Sequence, residues 1–506
     1  MGNIASTEQI TATWIVVILY MIIILFFVIR GAIKIKSISD YAVGNITFSP
    51  IAVGLALAAS MTSAATFIIN PGFIALYGIS GVLSFGIVMP LAIFVSLVLF
   101  TKGFRTYGAN VNALTMAQWM GNRYRSKSYA LFFAFVSLLL VTFIVLICVG
   151  LTQVLANSLN ADPIVVLGCI VLFVFGYMMF GGANSMVYTN SIQAVLMFVV
   201  AIILLSSGGQ YFNEGVSGFF DKLQSIGPNF ANWTNPDSLL FRDYFEIVFC
   251  QIVIGIAIVC QPHIITKSLL LKSDKDVNRY LTVGVLVLIV FFQVVIVGLF
   301  ARLYFPDLSV NGNSIPMDSI VSTYVVSRFP VYVGILVILG LISAGLSTLE
   351  GLIQSLSSSL TADLFNPLFG KFYYDENKRE RQEIIVNKMM IVFLALVSFG
   401  LSHQQLLSPN LSVGIFAQNG VYAYFSAAFV PVLFGMFLKD VQLKSVFSAS
   451  VIALVVHFTA YYGRFLPYMR ETVNNPAIAS TMAILSSLVV GLGIHYLTKE
   501  KISQHV

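Results

Sequence analysis

Charge is what this sequence has least of. Charged side chains make up 9% of its 506 residues, and 58% of the residues are hydrophobic, whereas an average soluble domain is about a quarter charged. A chain of this kind cannot clothe a water-facing surface, which excludes an ordinary soluble domain, a disordered chain and a nucleic-acid binder. The net charge of +6 therefore has to be read by where the charges sit. Cysteine is scarce too. Cys148, Cys169, Cys250 and Cys260 stand in apolar stretches with no CxxC spacing, so there is no disulfide framework, and they read as small core residues. Of the five histidines, His263, His403, His495 and His505 fall at the ends of apolar runs or in the tail and His457 stands alone. Neither a metal set nor a cofactor is expected from them. No G-x-S-x-G and no G-x-x-x-x-G-K-[ST] occurs, which argues against a hydrolase and against ATP-driven transport. Met1 to Thr13 has no Lys or Arg, so the basic segment of a signal peptide is missing and the run Trp14 to Ile29 reads as a retained membrane helix.

Long apolar runs are what the sequence has in abundance. A bilayer core needs ~20 apolar residues in a helix. Thirteen candidate spans satisfy this, near 12–33, 49–77, 79–101, 128–157, 163–181, 188–209, 244–262, 280–303, 331–361, 386–403, 411–437, 445–463 and 476–497. No charged or Pro/Ser-rich linker divides them, so 1–506 reads as one polytopic all-α membrane domain. An odd number of spans puts the termini on opposite sides. With the N-terminus outside and the C-terminus cytoplasmic, only Lys222, Arg242, Arg302, Arg328, Arg464 and Arg470 of the 27 Lys and Arg face outward. That is the positive-inside pattern of a plasma (inner) membrane protein. By this map no Lys or Arg lies deep in a span, and Glu350 is the one acid that does; a carboxylate at that depth is a functional candidate by default. The external loop 210–243 is expected to hold a short helix over the mouth of the protein. No soluble catalytic or signalling domain is expected after span 13.

Two spans carry chemistry. Span 2 contains Ala59-Ser60-Met61-Thr62-Ser63 and then Asn70-Pro71-Gly72, a poor continuous helix because Pro removes a hydrogen bond and Gly loosens the backbone. An unwound stretch near 59–63 would free carbonyls able to hold a small cation. The alternative is a kinked helix whose Ser and Thr satisfy their own backbone. Span 9 reads Ser343-Ala344-Gly345-Leu346-Ser347-Thr348-Leu349-Glu350. Ala344, Ser347 and Thr348 share one face at i, i+3 and i+4, offering two hydroxyls and a carbonyl. A hard cation wants more oxygens than one helix supplies, and ordinary small-residue packing is the competing explanation.

Taken with Thr115-Met116-Ala117-Gln118-Trp119 after span 3, Tyr188-Thr189-Asn190-Ser191-Ile192-Gln193 at the start of span 6 and Gln261-Pro262-His263-Ile264 at the end of span 7, these segments occur in an order that resembles the sodium/solute symporter family. The resemblance covers nearly the whole chain. It implies a leucine-transporter-type fold with discontinuous helices and two inverted five-helix repeats, 49–209 and 244–437, with 12–33 and 445–497 peripheral. It also implies a sodium site on the carbonyls of Ala59, Thr62 and Ala344 and the hydroxyls of Ser347 and Thr348. A substrate cavity beside it would be lined by Ser60, Ser63, Thr66, Gln153, Gln251, Ile254, Ile258 and Gln418.

Two departures shape the expectation. Many family members carry Asp where this chain has Asn190, a position linked to cation exit or a second sodium, and Glu350 is a candidate to supply the missing anionic character. Ile254 and Ile258 stand where the proline-transporting branch has aromatics, which disfavours proline itself. The Pro-His dipeptide resembles the amino-acid, pantothenate and monocarboxylate branches more than the sugar branches. The expected function is sodium-coupled uptake of a small organic solute, an organic acid, amino acid or vitamin-like acid, by alternating access in the lipid bilayer. No enzymatic activity and no obligate protein partner are expected. The alternatives are a transporter-like solute sensor, or a symporter coupled to protons through Glu350.

Overall fold

The chain is described by a computed structural model covering residues 5–503 except 34, 45–47, 109–112, 268–270, 272, 376–377, 408–411, 439, 465–468 and 470–473. Arg470 and His505 of the sequence reading lie outside the described residues. Ten helices are long and apolar enough to cross a membrane. In chain order they are α1 (Thr7–Ala32), α4 (Ile79–Phe104), α5 (Lys127–Leu159), α7 (Ala183–Phe212), α9 (Asp274–Tyr304), α10 (Val331–Tyr373), α11 (Arg379–Leu407), α12 (Val413–Phe437), α13 (Leu443–Gly463) and α14 (Pro476–Thr498). A bent pair, α2 (Pro50–Met61) and α3 (Ala65–Tyr77), makes an eleventh. Two shorter apolar helices, α6 (Pro163–Met178) and α8 (Phe245–Cys260), occupy the remaining expected spans. Every expected span is thus helical, while eleven of the thirteen meet the length of a crossing.

The helix starts follow from capping chemistry. Ser6 forms a capping box with Gln9 at the head of α1. Ser49 caps α2 ahead of Pro50, and Asp162 caps α6 ahead of Pro163, the residue pair that supplies an acceptor and a preset φ at a helix entrance. Large apolar side chains such as Leu91, Val95, Leu172, Leu396 and Val489 stay exposed on the outer faces. In water these would be an aggregation surface; around a helical bundle they are the lipid-facing surface. Cys148, Cys250 and Cys260 are buried, but Cys169 is exposed on α6, so the core reading of the four cysteines is corrected for that one.

The loop after α7 contains the expected short helix, Gly215–Ile226. Beyond it, the Phe230 carbonyl accepts from the Ile79 amide at 2.9 Å, and the Asn235 amide donates to the Tyr77 carbonyl at 3.0 Å. Both contacts fall at the sharp turn between α3 and α4, where Gly78 has φ +77° and a Cβ would lie 2.2 Å from the Phe230 carbonyl oxygen. Only glycine fits there. After α9 comes a small hairpin, Ser309 opposite Ser314 and Val310 opposite Asn313, turned by Asn311 and Gly312, both at positive φ, as a two-residue hairpin turn requires.

Candidate functional site

The break in span 2 organises the site. α2 runs to Met61, Thr62 is extended at φ −104° and ψ 104°, and the chain bends by 53° into α3. The sequence placed the unwinding near 59–63, and the break falls at the end of that stretch. Ala59 and Ser60 remain helical, yet their carbonyls belong to the last turn and have no partner within their own helix. Ser63 restarts the chain: its carbonyl accepts from the Thr66 and Phe67 amides, at 3.0 and 3.2 Å, and its hydroxyl accepts from the Ala65 amide at 3.0 Å.

The orphan carbonyls of α2 are met from α10. Ser347 Oγ donates to the Ala59 carbonyl at 2.8 Å and lies 3.1 Å from the Ala344 carbonyl. Thr348 Oγ1 donates to the Ser60 carbonyl at 3.1 Å. Thr62 Oγ1 turns back onto the Ala58 carbonyl at 2.7 Å. Ala59, Thr62, Ala344, Ser347 and Thr348 are all fully buried. The hydroxyl face read from the i, i+3, i+4 spacing therefore does meet the end of the broken helix, and the five residues assigned to a cation gather around one junction. Carbonyl and hydroxyl oxygens at the negative end of a helix are suited to a small hard cation.

A cavity of about 80 Å³ adjoins this junction. Of the residues expected to line it, Ser60, Ser63, Thr66, Ile258 and Gln418 do so. Gln153 instead accepts from the Ser319 hydroxyl at 2.8 Å, and Gln251 and Ile254 are buried without lining it. Sequence reasoning missed Asn70, Phe85, Gln261, His263 and Tyr422, which line the cavity as well. The signal for two of them was present in Gln261-Pro262-His263. A residue before proline is pushed out of the helical region, and Gln261 is extended at φ −66° and ψ 135° between α8 and the short helix Pro262–Ile265. A second discontinuity thus faces the first across the cavity. Among the described residues, no Asp, Glu, Lys or Arg lines it. A larger cleft of about 1120 Å³, lined by Arg125, Lys127, Asp363, Lys371 and Arg379 among others, lies apart from the two breaks.

Behind the junction lies a buried polar belt. Glu350 Oε1 accepts from Tyr177 at 2.6 Å and Oε2 from Thr189 at 2.7 Å, with the Gln193 amide 3.5 Å away. Tyr20 and Ser343 join hydroxyls at 2.7 Å. Asn190 Nδ2 donates to Ser60 Oγ at 3.0 Å, which ties α7 to the broken helix, and Asn190 Oδ1 has no partner among the described residues. Lys267, which the topology map counts on the cytoplasmic side beyond span 7, joins this belt. Its side chain is buried and its ammonium donates to Ser60 Oγ at 2.7 Å and to the Ala56 carbonyl at 3.1 Å. Past Gln261 the chain passes beside α2, which brings the Lys267 ammonium onto it.

Comparison with known proteins identifies the family and the fold. The model of the family described as the sodium:solute symporter family matches residues 41–453. The sodium/pantothenate symporter of Haemophilus influenzae is 28% identical over 366 residues, covering 69% of this chain and 72% of that protein. The sodium/pantothenate symporter of Escherichia coli K12 is 24% identical over 83% of this chain and 84% of its own length. The high-affinity proline transporter PutP of Bacillus subtilis is 24% identical, covering 80% of this chain and 82% of that protein. Among solved structures, a sodium-coupled sialic acid symporter in a substrate-bound outward-open state superposes with a TM-score of 0.75 at 18% identity, over 96% of this chain and 98% of its own. The all-α fold of the chain is shared with that symporter.

Proposed function

The chain belongs to the sodium:solute symporter family, and from that premise we propose that it couples the inward movement of sodium to uptake of a small organic acid. It is an integral membrane protein of a family of transporters, with sodium as the coupling ion. The observation that carries the finer reading is the junction of Ser347 and Thr348 with the carbonyls of Ala59 and Ser60. In the proposed cycle, external sodium takes the carbonyls of Ala59, Thr62 and Ala344 and the hydroxyls of Ser347 and Thr348, and clamps α2 to α10. This completes the adjoining cavity, and rocking of one helix bundle against the other then opens it to the cytoplasm.

The lining supports the substrate class. Pantothenate, proline and sialic acid, which the relatives' names give, are all carboxylic acids. A cavity lined by no charged side chain among the described residues suits a solute of at most one negative charge, balanced by the cation beside it, better than a dianion or a free amine. The proposed repeats are 49–209 and 244–437, each opening on a discontinuous helix, at Thr62 and at Gln261, with 12–33 and 445–497 peripheral. The N-terminus is proposed to face outward and the C-terminus the cytoplasm, with thirteen crossings in which α6 and α8 are the short ones.

A second reading, proton coupling, draws on one observation: Glu350 is buried and hydrogen-bonded by neutral donors, the setting of a carboxylate that exchanges a proton. Uptake into proteoliposomes separates the two. An inward sodium gradient alone should drive accumulation of a monocarboxylate at fixed, equal pH. Accumulation driven by a pH gradient and indifferent to sodium would overturn the sodium reading.

A further inference from the structure

The last turn of α2 serves two cationic demands at once. On one side lie the oxygens assigned to sodium. On the other, the Lys267 ammonium rests on the Ala56 carbonyl and Ser60 Oγ, at 3.1 and 2.7 Å, and Ser60 is shared by both: its carbonyl accepts from Thr348, its hydroxyl from Lys267 and Asn190. Among the described residues no carboxylate lies within ion-pair distance of Lys267. The charged groups that act on it are Glu350 on α10, across the polar belt, and its own positive charge acts on His263 one turn earlier. A buried ammonium held by neutral oxygens is a costly arrangement, and here it occupies the end of a helix whose dipole attracts cations.

Lys267 is also the continuation of the second discontinuity. Gln261, His263 and Ile264 line the solute cavity, and Lys267 follows them by one turn, its Thr266 neighbour bonded back to the Pro262 carbonyl at 2.7 Å. A displacement of the ammonium is therefore transmitted to the cavity wall through a single short segment. We propose that Lys267 is an internal counter-cation to the transported sodium: the two positive charges compete for the end of α2, so that sodium entry drives the ammonium off Ala56 and Ser60 and moves the 261–267 segment, and return of the ammonium expels sodium. This rests on the sodium reading above and adds the residue that links ion binding to the cavity.

The magnitude is decided by distance. At an effective dielectric of about 20, two unit charges about 7 Å apart repel by an amount that corresponds to roughly 50-fold in affinity. Retreat of the ammonium lowers the net effect, so about tenfold is expected.

The test uses the purified full-length chain with sodium chloride as the probe and choline chloride as the ionic-strength control, reading sodium-dependent thermal stabilisation. Lys267→Met, which keeps the stem and removes the charge, should bind sodium about tenfold more tightly than the parent by this Coulomb estimate. Lys267→Arg, which keeps the charge, should shift it far less. Lys267→Gln, which retains a hydrogen-bond donor without charge, provides the same comparison should the Met variant not fold. In hydrogen exchange, sodium should alter the 261–267 segment in the parent and leave it unaltered in the neutral variants. Equal or weaker sodium affinity in the neutral variants, with a sodium-responsive parent, overturns the counter-cation alone. A parent that responds to sodium no more than to choline overturns the sodium reading and this inference with it.

Discussion

Ser347 Oγ donates to the Ala59 carbonyl at 2.8 Å across 288 residues of chain, which makes the end of one broken helix and the middle of another a single piece of structure. A hydroxyl in that position does two things. It satisfies a carbonyl that the helix end leaves orphaned, and it presents a second oxygen to any cation that enters. Ser347→Ala should raise the sodium concentration for half-maximal uptake by tenfold or more, and Thr348→Ala should act in the same direction, each with a stability loss of roughly 1–3 kcal/mol for the buried carbonyl left unpaired. The check is uptake against sodium concentration alongside thermal unfolding. Unchanged sodium dependence in both variants would remove these residues from the site.

The two parts of that junction differ in how legible they were. Thr62-Ser63 and Asn70-Pro71-Gly72 announce a helix that cannot run straight, and Ala344, Ser347 and Thr348 share a face by simple periodicity. What local sequence cannot say is that these two stretches touch, and the family resemblance supplied that. Glu350 was visible as a carboxylate in an apolar run, but its partners Tyr177 and Thr189 lie 173 and 161 residues away, beyond any periodic argument. The contacts of Lys267 with Ala56 and Ser60, 211 and 207 residues away, were equally beyond it. The Gln261-Pro262 break turns the chain back into the protein, and a loop by count becomes a buried contact by path.

The close approach of α9 to α3 gives a stability prediction. A Cβ at Gly298 would stand 2.0 Å from the Pro71 carbonyl oxygen, and both partners are helix backbone that cannot swing aside. Gly298→Ala should destabilise by roughly 1–3 kcal/mol through overpacking, read as a lower midpoint in thermal unfolding of the detergent-solubilised chain. A midpoint equal to the parent's would mean that α9 is not held against α3.

The proposed orientation is tested without any substrate. Ser217 on the short helix after α7 and Lys378 before α11 are both exposed, so single cysteines there report the side they face. Ser217→Cys should react with a membrane-impermeant maleimide in intact cells, and Lys378→Cys only after permeabilisation. Labelling of Lys378→Cys from outside would invert the arrangement.

Asp318, in the loop between α9 and α10, offers a pH prediction. Burial pushes its carboxyl above the ordinary carboxylate range, with hydrogen bonds from Ser412 and the Val413 amide, at 2.8 and 3.1 Å, pulling the other way. A carboxyl whose folded value is raised binds its proton more tightly when folded, so its contribution to stability is complete below about pH 4 and is lost as the pH rises through the folded value. The unfolding midpoint of the parent relative to Asp318→Asn should therefore increase as the pH is lowered from 7 to 5. A difference that does not vary with pH would refute the assignment.

Glu350 separates the two coupling readings. The structure turns it away from the Ala344, Ser347 and Thr348 face and into α6 and α7, where Tyr177 and Thr189 each give one carboxylate oxygen a short hydrogen bond. Thr189 adjoins Asn190, and Asn190 reaches Ser60, so a charge on Glu350 acts on the sodium junction through the end of one helix. Glu350→Gln keeps the shape and part of the hydrogen bonding while removing the charge. If the carboxylate supplies the anionic character that Asn190 lacks, this substitution should weaken sodium dependence severalfold at every pH from 5.5 to 8.5. If it carries a proton, uptake should lose its pH dependence while the sodium requirement stays as in the parent. A purely structural carboxylate leaves both profiles unchanged and lowers the unfolding midpoint alone, because the Tyr177 and Thr189 hydroxyls then share one carbonyl oxygen in place of two.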